Sequence, residues 1–301
     1  MATFIKTIVL LFLVATLSSC SVLGVGGKSV TVGGKNFTEQ YLLSEMTAFL
    51  LREEGFNVKE MNNLGSNVIR RALINGQIDL TWEYTGTALV SYMGKEPLPE
   101  AEATFQKVKE LDEKNNIHWM NMSEVNNTYV LMMQKPRAKE LGLTSISDLA
   151  NYVKENPGEL TFATDVEFAN RVDGLPGVEE TYGFEFGVRQ VVLMELGLTY
   201  EALNNGEVDV AMGFETDGRI LEYDFLMLED DKNFFPPYTA AVAIKDEAIE
   251  KYPEIEEITA PLAEKLTSDI MRELNYAVDI EGKSVSLVAY DWLLENGLIE
   301  E

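Results

Sequence analysis

The amino-acid sequence predicts an α/β protein of two similar lobes, and two observations carry that expectation. The first is how the chain opens. A brief β-prone run at 29–32 is followed by Gly33-Gly34-Lys35-Asn36-Phe37-Thr38-Glu39-Gln40, and this turns into a stretch, 41–54, where Leu42, Met46, Phe49 and Leu50 recur at helical spacing. Gly55 ends that helix, so the order is strand, glycine turn, helix. The second observation is an internal echo. Ala72-Leu73-Ile74-Asn75-Gly76-Gln77-Ile78-Asp79-Leu80 is matched by Ala202-Leu203-Asn204-Asn205-Gly206-Glu207-Val208-Asp209-Val210. In each copy a helix breaks at Asn-Gly and a short buried strand begins. The strands then run into Trp82-Glu83-Tyr84-Thr85-Gly86-Thr87 and Met212-Gly213-Phe214-Glu215-Thr216-Asp217, with Phe214 standing 130 residues after Tyr84. Open α/β sheets bind ligands outside the carboxyl ends of their strands. Two facing lobes therefore place Tyr84 and Phe214 in one cleft.

The remaining elements follow in order. Residues 126–133 read as a strand leaving the first lobe, and 141–154 carry a helical pattern that opens near Ser147-Asp148 and closes before Pro157. Residues 159–163 read as a further strand, and 225–228 with 234–244 as a return toward the first lobe. The tail is helical, with amphipathic stretches at 258–274 and 285–296. The expected organisation is a first lobe from 29–131 and 236–301, a second from 132–235, and a hinge of two crossing strands.

The N-terminus reads as an address. Lys6 precedes an apolar run at 8–17 broken only by Thr16, and Leu17-Ser18-Ser19-Cys20 follows. Such a run is shorter than the roughly twenty residues a bilayer span needs, but it suits a secretory segment. Cys20 is the only cysteine and stands where a bacterial lipobox places its thiol. The expectation is a signal peptide over 1–19, a lipid on Cys20, and a Gly-rich tether over 20–28. The 301 residues carry 46% hydrophobic and 10% aromatic side chains, enough for a sizeable core. A net charge of −26 argues against nucleic-acid binding, because little here would neutralise a row of phosphates.

Catalytic material is thin. His118 is the only histidine, and with Cys20 committed to the membrane neither a cysteine nucleophile nor a Cys/His zinc site can be assembled. His118 reads as a surface or strand-edge residue. The Gly33-Gly34-Lys35 turn lacks phosphate-loop spacing. Acid pairs for hydrolysis are plentiful, but no motif singles two of them out. Binding material is richer, because Tyr84, Tyr129, Phe214 and Tyr238 stand at turns or strand ends. Tyr182, Tyr223, Trp119 and Trp292 read as core. A quaternary ammonium donates no N–H hydrogen bond and is best held by ring faces, each contributing about 1–2 kcal/mol when desolvated. Near Lys35, Thr38 reads as the cap of a helix whose N-terminus suits an anion. Arg171, between Asn170 and Asp173, reads either as a carboxylate clamp or as a structural ion pair.

Five separated motifs then carry a resemblance. They are Gly33 to Gln40, Trp82 to Thr87, Asn170-Arg171-Val172-Asp173-Gly174-Leu175-Pro176-Gly177, Thr216-Asp217-Gly218-Arg219 and Phe234-Phe235-Pro236-Pro237-Tyr238. Together they are similar to the glycine betaine/carnitine/choline-binding lipoproteins of osmoprotectant ABC importers, from about Ser29 to the C-terminus. The resemblance implies a type II periplasmic-binding-protein fold and an aromatic cage of Tyr84, Tyr129, Phe214 and Tyr238. It implies carboxylate contacts from Lys35 or Gln40, Thr87 and Arg171. Phe214 departs from the tyrosine usual there, keeping a ring face but losing a hydroxyl. Threonine at 87, with Arg171, suits a zwitterion better than the hydroxyl of choline. A monomer working with a membrane permease, without metal, organic cofactor or catalysis, is expected. The competing readings are a receptor for an amino acid or other polar solute on the same fold and, more distantly, an acid-pair hydrolase.

Overall fold

A computed structural model describes residues 27–300. The signal peptide expected over 1–19, the lipid expected on Cys20 and most of the expected tether fall outside the described residues. The chain begins with β1 (Ser29–Lys35), α1 (Thr38–Glu53), β2 (Asn57–Leu64), α2 (Ser66–Ile74) and β3 (Leu80–Tyr84). A π-helical turn (Thr87–Tyr92), α3 (Ala101–Asp112), β4 (Ile117–Met120) and β5 (Tyr129–Gln134) follow. Next come α4 (Lys135–Leu141), α5 (Ile146–Glu155), β6 (Phe162–Thr164), α6 (Leu175–Tyr182), β7 (Val191–Leu193) and α7 (Leu198–Asn204). β8 (Val210–Phe214), α8 (Arg219–Glu222), β9 (Phe225–Met227) and β10 (Ala240–Lys245) lead to the terminal helices α9 (Asp246–Lys251), α10 (Glu254–Lys265), α11 (Ser268–Asp279) and α12 (Val285–Glu295).

The strands form two five-stranded sheets, ordered β2-β1-β3-β10-β4 and β7-β6-β8-β5-β9. Each is parallel over three strands and closed on the other side by antiparallel pairs. These are the two lobes. β5 pairs only within the second sheet, and β10 returns to the first. Two extended segments cross between them and bond to each other. The Asn127 N–H donates to the Tyr238 carbonyl (3.0 Å), and the Tyr238 N–H to Asn126 Oδ1 (2.7 Å). The segment 234–239 read as strand is thus extended crossing chain, with regular pairing only from Ala240.

The echo is structural. Gly76 and Gly206 take positive φ (68° and 70°) directly after α2 and α7, a conformation that costs glycine no Cβ clash. Asp79 accepts the Thr31 N–H (2.6 Å), and Asp209 accepts the Thr161 N–H (2.9 Å). Thr31 and Thr161 are themselves 130 residues apart, so the repeat reaches back to the first strand of each lobe.

Helix α1 sits against the first sheet through Leu42, Leu43, Met46, Leu50 and Leu51, and α11 and α12 cover its other side. Trp82 Nε1 donates to Thr47 Oγ1 (2.8 Å) in the buried seam, fixing β3 to α1 two residues before Tyr84. Ser145 and Asp148 form a reciprocal capping box at the start of α5, which opens at Ile146, one residue ahead of the Ser147-Asp148 opening read from sequence. Thr38 does not cap α1. The cap position is Phe37, and the Thr38 hydroxyl donates instead to Asp279 Oδ1 (2.6 Å) on α11. The amphipathic stretch 258–274 is two helices, broken at Leu266, with Thr267 capping α11 through the Ile270 N–H. His118 lies half-buried on β4, at the edge of the first sheet.

Candidate functional site

Tyr84 closes β3 of the first sheet and Phe214 closes β8 of the second, and both line one cavity between the lobes. Tyr129, the first residue of β5, and Tyr238, on the return crossing, complete a ring cluster. Tyr129 lies 5.2 Å from Phe214 and 5.3 Å from Tyr238, centroid to centroid, the latter edge-on. Phe37 adds a fifth ring, stacked 5.2 Å from Phe214 and 6.2 Å from Tyr84. Phe37 carries no strand-end signal in the sequence, because it stands at the cap position of α1. The cavity is about 30 Å³, room for roughly one or two water molecules. A larger guest therefore requires the lobes to part.

The hydroxyls of Tyr84 and Tyr238 are held by residues outside the cavity lining. Tyr84 donates to Glu39 Oε1 (2.6 Å) and accepts from Gln40 Nε2 (3.1 Å), and Tyr238 donates to Asp173 Oδ2 (2.8 Å). Burial, reinforced by the neighbouring carboxylates, pushes both phenols well above their ordinary range, so both stay protonated donors. Gln40 is spent behind Tyr84 and is absent from the cavity lining. Lys35 does line the cavity, but its ammonium is paired with buried Glu83 and lies 5.0 Å from the Tyr84 ring centroid.

Arg171 reaches the cavity from the second lobe. It donates to both Asp173 oxygens (2.8 and 2.5 Å), to Glu167 Oε1 (3.0 Å) and, across the cleft, to Thr87 Oγ1 (3.3 Å). Its carbon sits 5.5 Å from the Tyr129 centroid. The structural ion pair and the place in the cavity are thus both present. Glu167 also accepts the Ser66 N–H of the first lobe (3.3 Å). Burial pushes the Glu167 carboxyl up, but the charges of Lys35 and Arg171 with its hydrogen bonds outweigh this and hold it below its ordinary value. Of the eight ligand-contact positions read from sequence, seven line this cavity and Gln40 does not. Phe37, Glu39, Asp165, Glu167 and Asp173 were not singled out; all but Phe37 are acids, lost in a chain with 50 Asp and Glu.

One carboxylate ties the site together. Glu39, near the start of α1 and 2% exposed, accepts from Tyr84, from Asn127 Nδ2 (3.0 Å) on the first crossing and from Thr216 Oγ1 (2.7 Å) of the second lobe. Its carboxyl is raised because burial outweighs those hydrogen bonds. Further contacts join the lobes alongside. Asn275 Nδ2 donates to the Thr216 carbonyl (3.0 Å) and Arg219 Nη2 to Asp279 Oδ2 (3.1 Å). A Cβ on Gly218 would stand 2.7 Å from Tyr276 Cα on α11, so only glycine fits in this closed arrangement.

Residues 28–295 match the model of the substrate-binding domain of ABC-type glycine betaine transport systems. A glycine-betaine-binding protein of Pseudomonas aeruginosa is 38% identical over 279 residues, covering 91% of this chain and 90% of its own. A carnitine transport binding protein of Listeria monocytogenes is 36% identical over 292 residues, covering 94% of this chain and 93% of that one. Among solved structures, a glycine betaine/carnitine/choline ABC transporter protein superposes with a TM-score of 0.71 at 32% identity, covering 91% of this chain and 99% of that one.

Asp165, in the cavity lining, yields a pH test. Burial pushes its carboxyl up to about 6; the Phe168 N–H and Arg171 pull it down, and the Glu167 charge adds to the rise. Between the ordinary carboxylate value and about 6 the folded state holds a proton that the unfolded chain has released. The stability this group contributes is therefore present at pH 4 and lost as pH rises through 6, on the order of 2–3 kcal/mol. Asp165→Asn retains an acceptor for the Phe168 N–H. It should flatten the pH 4–6 slope of urea-unfolding stability and raise stability at pH 7 by about 2 kcal/mol. A variant with the parent slope refutes the assignment.

Proposed function

The chain belongs to the family of substrate-binding domains of ABC-type glycine betaine transport systems, and from that membership we propose that it captures a carboxylate-bearing quaternary ammonium, of the glycine betaine or carnitine type, and passes it unchanged to a membrane permease. The observation that supports this most is the convergence of rings from both sheets on one cavity, with the Tyr84 and Tyr238 hydroxyls tied to residues outside its lining. Ring faces are what a trimethylammonium group needs, since it offers positive charge and apolar surface but no donor. Closing the lobes excludes water from those faces, where each cation–π contact contributes about 2 kcal/mol, against about 0.5–1 kcal/mol when exposed.

The carboxylate end is assigned to Arg171, Thr87 and Lys35. Glu167 now bridges Arg171 and the Ser66 N–H across the cleft. In this reading a ligand carboxylate takes that bridge from Glu167, and closure is then strongest when the ligand supplies it. A second reading rests on Asp165 and Glu167 in the same cavity, which would suit a primary amine. Degree of N-methylation separates the two. In isothermal titration the affinity should rise from glycine through dimethylglycine to glycine betaine. A fall along that series supports the amine reading and contradicts the cage.

The two halves of the site are separable by mutation. Tyr238→Ala removes a ring face and should weaken every quaternary ammonium, choline included. Arg171→Ala removes a charge-assisted contact of roughly 1.5–3 kcal/mol, about ten- to a hundredfold in affinity, and should weaken glycine betaine while sparing choline. Equal losses for both ligands in Arg171→Ala would mean that Arg171 holds the lobes and not the carboxylate. No loss in Tyr238→Ala would refute the cage.

The anchoring of the protein belongs to the same proposal. Leu17-Ser18-Ser19-Cys20 supports lipidation of Cys20 outside the cytoplasm, which keeps the binding lobes close to the permease. Among the described residues no helix is long and apolar enough to cross a membrane. Cys20→Ser should shift the protein from the membrane fraction to the soluble fraction, or stall its processing. Unchanged fractionation counts against the lipid.

A further inference from the structure

The Thr216-Asp217-Gly218-Arg219 motif begins two residues after Phe214, yet none of its residues lines the cavity among the rings. What it meets is α11. Arg272, Asn275, Tyr276 and Asp279 stand at positions i, i+3, i+4 and i+7 of that helix and so share one face. That face runs in step along the second-lobe segment 215–222. Arg272 Nε donates to the Glu215 carbonyl (3.2 Å), and Asn275 Nδ2 to the Thr216 carbonyl (3.0 Å). Tyr276 backs onto Gly218, and its hydroxyl donates to Glu222 Oε2 (2.7 Å). Asp279 Oδ2 accepts from Arg219 Nη2 (3.1 Å).

The helix that supplies this face belongs to the first lobe. It packs on α1 with Met271 and Leu274 buried, and its start is tied to the first crossing segment, where the Asn126 N–H donates to Ser268 Oγ (2.9 Å). Parting the lobes therefore separates α11 from the segment 215–222. No residue of α11 lines the cavity among the rings, so these contacts lie apart from the caged ligand.

We propose that α11 and the segment 215–222 form a latch, which sets how readily the lobes close and thereby scales the affinity for every ligand by the same factor. An interaction made on closure, but not with the ligand, changes the closed population, and the apparent dissociation constant of each ligand follows that population equally. Gly218 and Tyr276 are its positioning residues. The inference depends on the cage reading only for the choice of ligands in the test.

The test is Gly218→Ala. Gly218 has φ −64° and ψ −24°, right-handed backbone that alanine adopts without strain, so the second lobe by itself accepts the substitution. Across the cleft the added Cβ would stand 2.7 Å from Tyr276 Cα, well inside the separation of about 3.5–4.0 Å at which carbons pack. The obstacle is helix backbone, which does not turn aside as a side chain does, and it is met only in the closed arrangement. In isothermal titration Gly218→Ala should weaken glycine betaine and choline alike, by about ten- to a hundredfold. Unchanged affinity overturns the latch, since Gly218 would then be packing alone. Unequal losses for the two ligands also overturn it, because the motif would then act on the ligand itself. If Gly218→Ala does not fold, Tyr276→Phe decides. It removes only the hydroxyl bonded to Glu222 and should weaken both ligands about two- to fivefold, whereas no loss overturns the proposal. A wild type that binds neither compound removes the cage reading and leaves the latch to X-ray scattering in solution. The ligand-free wild type should then have a smaller radius of gyration than either variant, and equal radii overturn the latch.

Discussion

The rest of the site depends on the burial of the Glu39 carboxylate. It takes three hydrogen bonds, from a ring of the first lobe, from the first crossing segment and from a hydroxyl of the second lobe. Neutral partners compensate a buried charge only when all are in place, and burial still leaves this carboxyl harder to ionise than usual. If the lobes part, the Thr216 hydroxyl leaves and water enters. Closure, the orientation of Tyr84 and the state of Glu39 are therefore one event. The same logic recurs at the second ring, where Asp173 holds both the Tyr238 hydroxyl and Arg171.

This arrangement matches what a quaternary ammonium demands. The ligand cannot reward a site with directional hydrogen bonds at its cationic end, so selectivity has to come from shape, ring faces and exclusion of water. Tyr84 and Tyr238, whose hydroxyls are bonded to Glu39 and Asp173, do not rotate freely to offer those hydroxyls to a competing solute. The ion pairs at the other end are more exchangeable. Glu167 already bridges the lobes through Arg171 and the Ser66 N–H, so in the proposed reading an incoming carboxylate would replace an interaction of its own kind without desolvating a bare guanidinium.

Much of the architecture was legible because it repeats. The Asn-Gly breaks at 75–76 and 205–206 mark equivalent helix ends, and period and spacing alone set Tyr84 opposite Phe214. The matched aspartates Asp79 and Asp209 extend that repeat, although their partners Thr31 and Thr161 lie 48 residues upstream and carry no local signal. Thr38 was misread for a related reason. Its capping pattern was locally plausible, but Asp279, far along the chain, takes its hydroxyl, and Phe37 is turned into the cage. Gln40 bonds the Tyr84 hydroxyl from outside the cavity lining, a placement that depends on side-chain direction at the start of α1. The break at Leu266 did have a signal, since Thr267-Ser268-Asp269 is a helix start, but continuous amphipathic spacing masked it.

The most direct measurement is a crystal structure of the protein with glycine betaine. The expected density places the trimethylammonium group among Tyr84, Tyr129, Phe214 and Tyr238, the carboxylate within hydrogen-bond reach of Arg171 or Thr87, and Glu167 displaced from Arg171. A ligand bound outside these rings, or one whose carboxylate points into the cage while its ammonium meets Asp165 and Glu167, would contradict the assignment of the cage to the cation.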